Sequence, residues 1–493
     1  MFKKKIKRFP SLVVNQLAKN LFKIRQFGKK ELLQHQETLL FELIYKSRKT
    51  IFGERYNFQN IKNIEDFQNN VPIFTYKEFQ PWIEYMLREK DIAYPKIPLF
   101  AISSGTTGKK KYIPLTYEHL KTSQFRGEKL LARYCKENPY TQMFTGKTVV
   151  ITFIKNPYTQ KDNVYITAIL QKRTPLIGKL FKPKLKTSFI EDREEKSEKI
   201  IKETINQHIT ISQPSWCTQF LYKVLDKTKN NIHEVRPDFE IFFGGGMSVD
   251  LYTDNLQELL PDPKFKYRQS YNASEFFAIQ YKNDTNDMLL LTDNGVFYEF
   301  IPKEEYGKEN PKIITLKNVE KDKEYVLVIT TNAGMRRYII DTLKFTEIEP
   351  FYKIKITGRT KYYIDVVETT VEYTDKAIME ACEKTAIATD YTVPIAPKKE
   401  RAYERIIEFN KEPKDLQEFE NILDLELQKS FSNYYDERNY NNTLKKLILH
   451  KVERGTFQKR LQSNNKVVGQ SKIPKLMNNR EVIDNIFAFT NQK

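Results

Sequence analysis

The chain has 493 residues, more than one ordinary hydrophobic core requires, and its 40% hydrophobic to 29% charged balance is that of a globular protein of two or more domains. No apolar run approaches the roughly 18 residues that span a bilayer, and the basic opening "MFKKKIKRFPSLVVNQL" carries too short an apolar segment for a secretory signal, so a cytoplasmic protein with no membrane partner is expected. The formal charge of +19 comes from 82 Lys and Arg against 63 Asp and Glu, but the lysines are spread along the chain, a composition bias more than a patch, and no nucleic-acid partner is expected.

From Pro10 to about Leu99 the pattern is mainly helical: apolar residues recur at three and four in "LLQHQETLLFELIYKS", and Thr75 opens "TYKEFQPWIEYML" as a capping-type residue. The stretch "SSGTTGKKKYIPLT" at 103–116 follows. Next come the β-rich runs "KTVVITFI" at 147–154 and "NVYITAIL" at 163–170, then the helical "EEKSEKIIKETINQHI". "DFEIFFGGGMSVDLYTDNLQELL" reads as strand, glycine turn and helix, while "NGVFYEFIP" and "EYVLVITT" supply further strands of a mixed sheet. Beyond "YKIKITGRTKYYIDVV" the pattern restarts. It predicts a helix near 375–389, a proline-containing link "YTVPIAPKKE", the strand "YERIIEF", one long helix from about 414 to 436, the stretch "TLKKLILHKV" and a final helix. The expected fold class is α/β, with a large N-terminal domain of mixed sheets and helices over residues 1–357 and a small α/β C-terminal domain over residues 358–493.

Cys135, Cys217 and Cys382 lie far apart and are odd in number, which argues against a disulfide framework or a Cys-based metal site. The histidines at 35, 119, 208, 233 and 450 show no metal spacing, and no Ser-His-Asp set can be assembled, so hydrolase chemistry lacks support. Glycine is the informative residue: 16 in the chain is under half the average usage of about 7%. Gly105 and Gly108 lie in "SSGTTG", and Gly244, Gly245 and Gly246 in "FFGGGMS". A chain this poor in glycine keeps it where the backbone needs positive φ or close approach to a ligand.

A backbone rich in Gly, Ser and Thr can turn several N–H groups toward one point, while hydroxyls and nearby ammonium groups complete an anion cage. The 103–108 stretch has these parts. It is not a Walker A loop, because only two residues separate Gly105 from Gly108 where that motif has four before Gly-Lys. A solvated turn carrying lysines is the alternative on residues alone. "QSYNASEFFAIQ" then presents an aromatic, two small residues and Glu275, a carboxylate suited to a hard cation such as Mg²⁺ bridging phosphate oxygens.

In this order the segments resemble the adenylate-forming, firefly luciferase-like enzymes. In detail they look like the auxin-responsive Gretchen Hagen family of acyl-acid amido synthetases, in its bacterial form. The likeness covers nearly the whole chain, through "IFGERYNF", "EDFQNNVPIFTYKEF", "SSGTT", "PSWC", "GGGMSVDLY", "YNASE", "FYEFIP", "GRTK", "TDKAI" and "RGTFQKRLQSNNKVVGQSKIPKL". It implies a large N-terminal domain and a mobile C-terminal domain that close over ATP, Mg²⁺ and a small carboxylic acid. The acid would be activated as an acyl-adenylate with release of pyrophosphate, and an amine, usually an amino acid, would then attack the activated carbonyl to form an amide.

Carried over by position, the resemblance gives ATP phosphates to Ser103, Ser104, Gly105, Thr106 and Thr107, with Lys109, Lys110 and Lys111 adding charge. Gly245 and Gly246 form a nucleotide-binding turn, Tyr271 packs against adenine, Ala273 and Ser274 line the nucleotide, and Glu275 holds Mg²⁺. Asp341 matches the aspartate whose two oxygens accept from the ribose hydroxyls. Arg359, after Gly358, matches the hinge, and Lys361 a phosphate contact or an anchor of the closed state. Lys472 in "GQSKIPK" matches the lysine that neutralises charge in the adenylation transition state, so Lys472 and Glu275 are the implied catalytic residues. The plain alternatives are a helix cap after Pro114, a structural tyrosine, a surface glutamate, an edge-strand acid, a strand-end turn and a solvated lysine.

Three departures from the family pattern stand out. The family reads Tyr-Arg-X-Gly-Asp where this chain reads "RRYIIDT", with no glycine before Asp341. Loss of one residue in an extended segment reverses side-chain facing unless a bulge compensates. A second Gly-Glu pair is replaced by "ETTVEYTD", and the 103–108 loop is one residue short. The competing expectation is therefore a catalytically impaired nucleotide- or ligand-binding homologue.

Overall fold

The computed structural model describes residues 29–89, 92–93, 97–103, 111–143, 147–151, 169, 173, 184–188, 190, 192–204, 207–212, 214–228, 232–245, 253–261, 265–272, 277–280, 287–359, 363–364, 369–385, 389–395, 402–409, 411–439, 444–457, 476 and 480–491. They form two compact units, built chiefly from residues 29–359 and 363–491. Among the described residues no helix is long and apolar enough to cross a membrane.

Among the described residues the first unit opens with four α-helices, α1 (Lys29–Ser47), α2 (Ile51–Arg55), α3 (Ile64–Asn70) and α4 (Tyr76–Arg88). Leu32, Leu39, Leu40, Leu43 and Ile44 recur at helical spacing along α1 and are buried, as the sequence pattern requires. Thr75 caps α4 reciprocally with Glu78: the Thr75 N–H and Oγ1 donate to Glu78 Oε2 at 2.7 and 2.8 Å. Where α2 turns back on α1, a Cβ on Gly53 would lie 2.1 Å from the Ser47 carbonyl oxygen, so only glycine permits this approach.

A hairpin of β1 (Leu99–Ser103) and β2 (Lys111–Leu115) comes next, then α5 (Tyr117–Glu137), whose cap Thr116 accepts the His119 N–H at 3.0 Å. Strands and helices then alternate: β3 (Lys147–Val150), α6 (Leu185–Ser188), α7 (Arg193–Glu203), β4 (Gln207–Ser212), α8 (Pro214–Thr228), α9 (Ile232–Val235), β5 (Ile241–Gly245), α10 (Thr253–Leu259) and β6 (Lys266–Asn272). Strands β3 to β6 pair in parallel, the pairing that helical crossovers impose. The rest is antiparallel: β7 (Phe277–Gln280), β8 (Met288–Leu290), β9 (Val296–Pro302), β10 (Ile314–Thr315), β11 (Glu324–Thr331), β12 (Tyr338–Glu347) and β13 (Lys353–Arg359). All belong to one mixed sheet in the order β10-β9-β11-β12-β13-β8-β7-β6-β5-β4-β3. Of the run 163–170, expected to be extended, only Ile169 is described. It is helical, its carbonyl accepting the Arg173 N–H at 3.1 Å, and its apolar side chain packs against Ala101, Leu115 and Leu120.

The main core lies between α1–α4 and the antiparallel part of the sheet. On β11, Tyr325, Leu327 and Ile329 face it, while Val326 and Val328 face a smaller cluster with Ile301, an alternation of period two. Phe52 sits among Tyr56, Phe58, Phe74, Phe79 and Trp82 with ring centroids 4.5 to 6.1 Å away. Cys135 and Cys217 are buried, Cys382 half-buried, and none forms a disulfide. Burial pushes the Cys217 thiol up, so it stays protonated.

The second unit contains β14 (Tyr363–Ile364), β15 (Thr369–Thr370), α11 (Val371–Thr385), β16 (Thr389–Ile395), β17 (Glu404–Phe409), α12 (Leu416–Ser430), α13 (Ser432–Asn439), β18 (Ile448–Val452) and α14 (Glu481–Asn491). Two expectations need correction. The proline-containing "YTVPI" is strand β16, at the edge of a three-stranded sheet ordered β16-β17-β18, where a residue without an N–H is tolerated. The single helix expected over 414–436 is two, because the chain is extended at Phe431, the C-cap of α12. Glu408 on β17 accepts the backbone N–H groups of Gly455 at 2.6 Å and Phe457 at 3.1 Å.

Asp424 is the polar centre of this unit. It is buried and accepts from Tyr434 Oη at 2.5 Å, Gln428 Nε2 at 2.8 Å and Arg438 Nη2 at 3.0 Å. Removing it strands three donors, so Asp424→Ala is expected to destabilise the protein by about 3 kcal/mol, read as a lowered urea midpoint. Burial works to raise Glu426, yet the hydrogen-bonded ammonium groups of Lys384 and Lys429 hold its carboxyl down at about 2. That places its folded pKa below the ordinary value of 4.5, so its contribution is complete above that value and is lost as pH falls. The urea-midpoint gap between parent and Glu426→Gln is expected to narrow between about pH 5 and pH 3, and a gap independent of pH would refute this.

Candidate functional site

Of the residues singled out in the sequence, Ser104, Gly105, Thr106, Thr107, Gly108, Lys109, Lys110, Gly246, Ala273, Ser274, Glu275, Lys361 and Lys472 lie outside the described residues. Ser103, Lys111, Gly245, Tyr271, Asp341 and Arg359 lie on strands of the first unit. Ser103 is the last residue of β1, paired with Lys111 at the loop end of the hairpin. The Lys111 ammonium stands 5.0 Å from the centre of the Tyr76 ring. Gly245 ends β5 and pairs with Ser270 of β6, whose hydroxyl donates to the Gly244 carbonyl at 3.1 Å. Tyr271 follows on β6, paired with Ala278 of β7, and its half-buried ring packs against the main core. The structure thus brings Gly245 and Tyr271 together on adjacent strands and, separately, Asp341 and Arg359 as direct cross-strand partners on β12 and β13. Among the described residues no group of three or more His, Cys, Asp and Glu converges as a metal cage.

Asp341 is where sequence and geometry bear on each other most closely. Going along β11, Ile329 pairs with Tyr338 and Val328 with Ile339, but Val326 pairs with Thr342, so Ile340 and Asp341 together oppose Leu327 alone. This is a β-bulge. Its effect is visible in the packing: Tyr338 and Ile340 touch the main core, and so do Leu343 and Phe345, which would face the other way in an unbroken strand. Asp341 shares the phase of Leu343 and Phe345 and is 5% exposed. The missing glycine is therefore matched by an irregularity at the same point of the strand. On the far side β13 pairs with β8 only at Lys353 and Ile354, so the stretch ending in Arg359 runs past the paired part of β8.

The supports of this strand were not singled out in the sequence. Arg337, in a left-handed conformation with φ +41°, precedes β12. Its Nε donates to Glu299 Oε2 at 3.1 Å, Nη2 lies 3.1 Å from Glu299 Oε1, and Nη1 donates to the Gln68 carbonyl at 2.8 Å and to that of Val71. Both side chains are fully buried. The adjacent Arg336 donates to the carbonyls of Thr331 and Ala93 and to Ser47 Oγ. The root of the hairpin is tied to the same turn: Thr116 Oγ1 donates to the Asn332 carbonyl at 2.9 Å, and His119 Nδ1 lies 3.0 Å from Asn332 Oδ1. The Tyr112 N–H donates to Tyr76 Oη at 2.8 Å. The sequence signals available were the paired arginines of "RRYIID" and the acid inside the apolar "FYEFIP", a charge in a strand too apolar to be solvated.

This geometry presents a buried carboxylate, a glycine strand end and an aromatic ring along one sheet, and a hairpin with Ser103 and Lys111 paired at its loop end. At 22% identity over 391 residues, the chain is similar to the indole-3-acetic acid-amido synthetase GH3.2 of Arabidopsis thaliana, covering 63% of this chain and 71% of the relative. The similar GH3.3 of the same plant matches at 37% identity over 81 residues, only 14% of its length. Among solved structures, AtGH3.15 acyl acid amido synthetase in complex with 2,4-DB superposes with a TM-score of 0.60 at 16% identity, over 96% of each chain. A 2-hydroxyisobutyryl-CoA ligase with 2-HIB-AMP and CoA does so with a TM-score of 0.55 at 12% identity, over 94% of this chain and 92% of that one. At such identities these two likenesses speak to the fold alone. Residues 23–178 match the GH3 family N-terminal domain, residues 289–359 its central domain and residues 372–481 its C-terminal domain. With more than half of its length matched, in that order, the chain belongs to the GH3 family.

Proposed function

We propose that this protein is an ATP-dependent acyl-acid amido synthetase. In the first half-reaction a carboxylate oxygen of the acid attacks the α-phosphorus of ATP. The bond to the β-phosphate oxygen breaks, and acyl-AMP and pyrophosphate result. In the second, the nitrogen of an amine, probed first as an amino acid, attacks the acyl carbon; AMP leaves and the nitrogen loses a proton. The chemistry needs positive charge and hydrogen-bond donors fixed where the phosphate accumulates negative charge, and the reading gives the first task to Lys472 and the second to the 103–107 loop. Glu275 is assigned the Mg²⁺, Gly245, Gly246, Ala273 and Ser274 the nucleotide's walls, Tyr271 the adenine face, and Arg359 and Lys361 the hinge and closed state.

The single observation that carries the proposal is the β12 bulge. A chain that had merely lost the glycine would present Asp341 on the opposite face, whereas here the strand is irregular at Ile340–Asp341 and the carboxylate keeps the phase of Leu343 and Phe345. That favours a working nucleotide site over an impaired homologue. Two ionised oxygens side by side suit two vicinal hydroxyls, so the buried Asp341 is a fitting ribose acceptor. A cytoplasmic setting, where ATP and Mg²⁺ abound and the three thiols stay reduced, belongs to the same proposal.

The test is exchange of labelled pyrophosphate into ATP over a panel of carboxylic acids, followed by amide formation with an amino-acid panel. Acid-dependent exchange is expected; none with any acid, while ATP still raises the melting temperature, would point to the impaired homologue. Lys472→Ala is expected to slow exchange by about 10²-fold or more while the stabilisation by ATP persists. An unchanged rate would remove Lys472 from the mechanism.

A further inference from the structure

Resting on the reading of the 103–107 stretch as the phosphate contact, we propose that Tyr76 is a positioning residue. Its hydroxyl holds the loop end of the β1–β2 hairpin, and with it the Ser103–Lys111 pair, in place for the phosphates of the nucleotide. The hairpin is a sheet of its own, two five-residue strands outside the eleven-stranded sheet. A two-stranded ribbon is marginally stable alone. Where it points is therefore set by what ties it to the rest of the unit.

The ties differ between its two ends. At the foot, Ala101, Ile113 and Leu115 are fully buried, Ala101 and Leu115 packing with Leu120 of α5, and Thr116 Oγ1 donates to the Asn332 carbonyl at 2.9 Å. Toward the loop end burial falls off, and Lys111 and Tyr112 are half-buried. There the Tyr112 N–H points away from β1 and donates to Tyr76 Oη at 2.8 Å. Pro114, two residues on, shares that outer edge of β2 and has no N–H to offer, so of these two positions Tyr112 has the donor and Tyr76 takes it. The Lys111 ammonium, 5.0 Å from the centre of the Tyr76 ring, adds a second grip on the same residue. Tyr76 itself is held firmly. Its ring packs against the main core, and it opens α4 directly after the Thr75–Glu78 cap. Two residues before it, Phe74 is bound to the start of β12: its N–H donates to the Arg337 carbonyl and its carbonyl accepts the Ile339 N–H, both at 2.9 Å. One short segment, 74–76, thus ties the loop end of the hairpin to the strand that carries Asp341. Without the hydroxyl the foot stays packed while the loop end loses its fixed direction. Tyr76 need not touch the nucleotide.

The experiment compares dissociation constants for ATP with Mg²⁺ and for adenosine, which has the base and ribose but no phosphate, by calorimetry on the full chain. The proteins are the parent, Tyr76→Phe and the triple variant Ser103→Ala/Thr106→Ala/Thr107→Ala, with melting temperatures alongside. The parent is expected to prefer ATP by about tenfold or more, the contribution of hydrogen bonds to a charged group, and the triple variant to lose most of that preference. Tyr76→Phe keeps the ring and its packing. It is expected to weaken ATP by about threefold to tenfold, the worth of one hydrogen bond, with affinity for adenosine unchanged. A merely structural role would lower the melting temperature and weaken both ligands alike, and that result overturns the inference. So does a parent-like ATP affinity in Tyr76→Phe while the triple variant has lost its preference, with the phosphate reading left standing. A parent-like preference in the triple variant removes the phosphate reading and the inference together.

Discussion

The large unit is organised around a pair of charges buried away from water, Arg337 with Glu299. Burying two ions is costly, and such a pair is held better the more of its remaining hydrogen-bonding capacity is met. Here the carbonyls of Gln68 and Val71 and the amide of Gln68 meet part of it, which ties the helical N-terminal segment to the sheet. The same residues that satisfy the arginine sit between Phe67 and Phe74, inside the aromatic cluster around Phe52. Electrostatics and packing are thus joined at one spot: the sheet cannot keep its charge buried without the helices, and the helices present their aromatic faces to little else.

From that spot two lines of hydrogen bonds reach the ends of the candidate site. One runs through Phe74 and Tyr338 into β12. The other runs through Asn332 to Thr116 and His119, at the open foot of the hairpin, away from the Ser103–Lys111 pair. Precision at a site comes from supports locked by packing and hydrogen bonding. In this protein those supports belong to the turn that contains the two buried arginines.

Much of this was legible in the chain before any coordinates. Period-three-and-four spacing marked α1, the capping-type Thr75 marked the start of α4, and the apolar runs marked β5, β9 and β11, since each signal is local. What stayed hidden was whatever depends on partners distant in sequence. "YTVPI" looks like a link because proline disfavours central strands, yet edge position removes the objection. The break at Phe431 carries neither glycine nor proline and follows from tertiary packing of its buried ring. For the site, the motifs drew attention to Gly245 and Asp341, but the doubling of Ile340 and Asp341 against Leu327 depends on pairing with β11, outside the window in which a strand's periodicity can be read.

The edge placement of β16 has an effect beyond tolerance of its proline. An outermost strand is a template on which another polypeptide can lay itself down, amide against carbonyl. Pro394 is paired across to Arg405 and has no hydrogen to offer on its outer side, so that rim is interrupted near its end. The small sheet is guarded against accretion by the same residue that made it look like a loop.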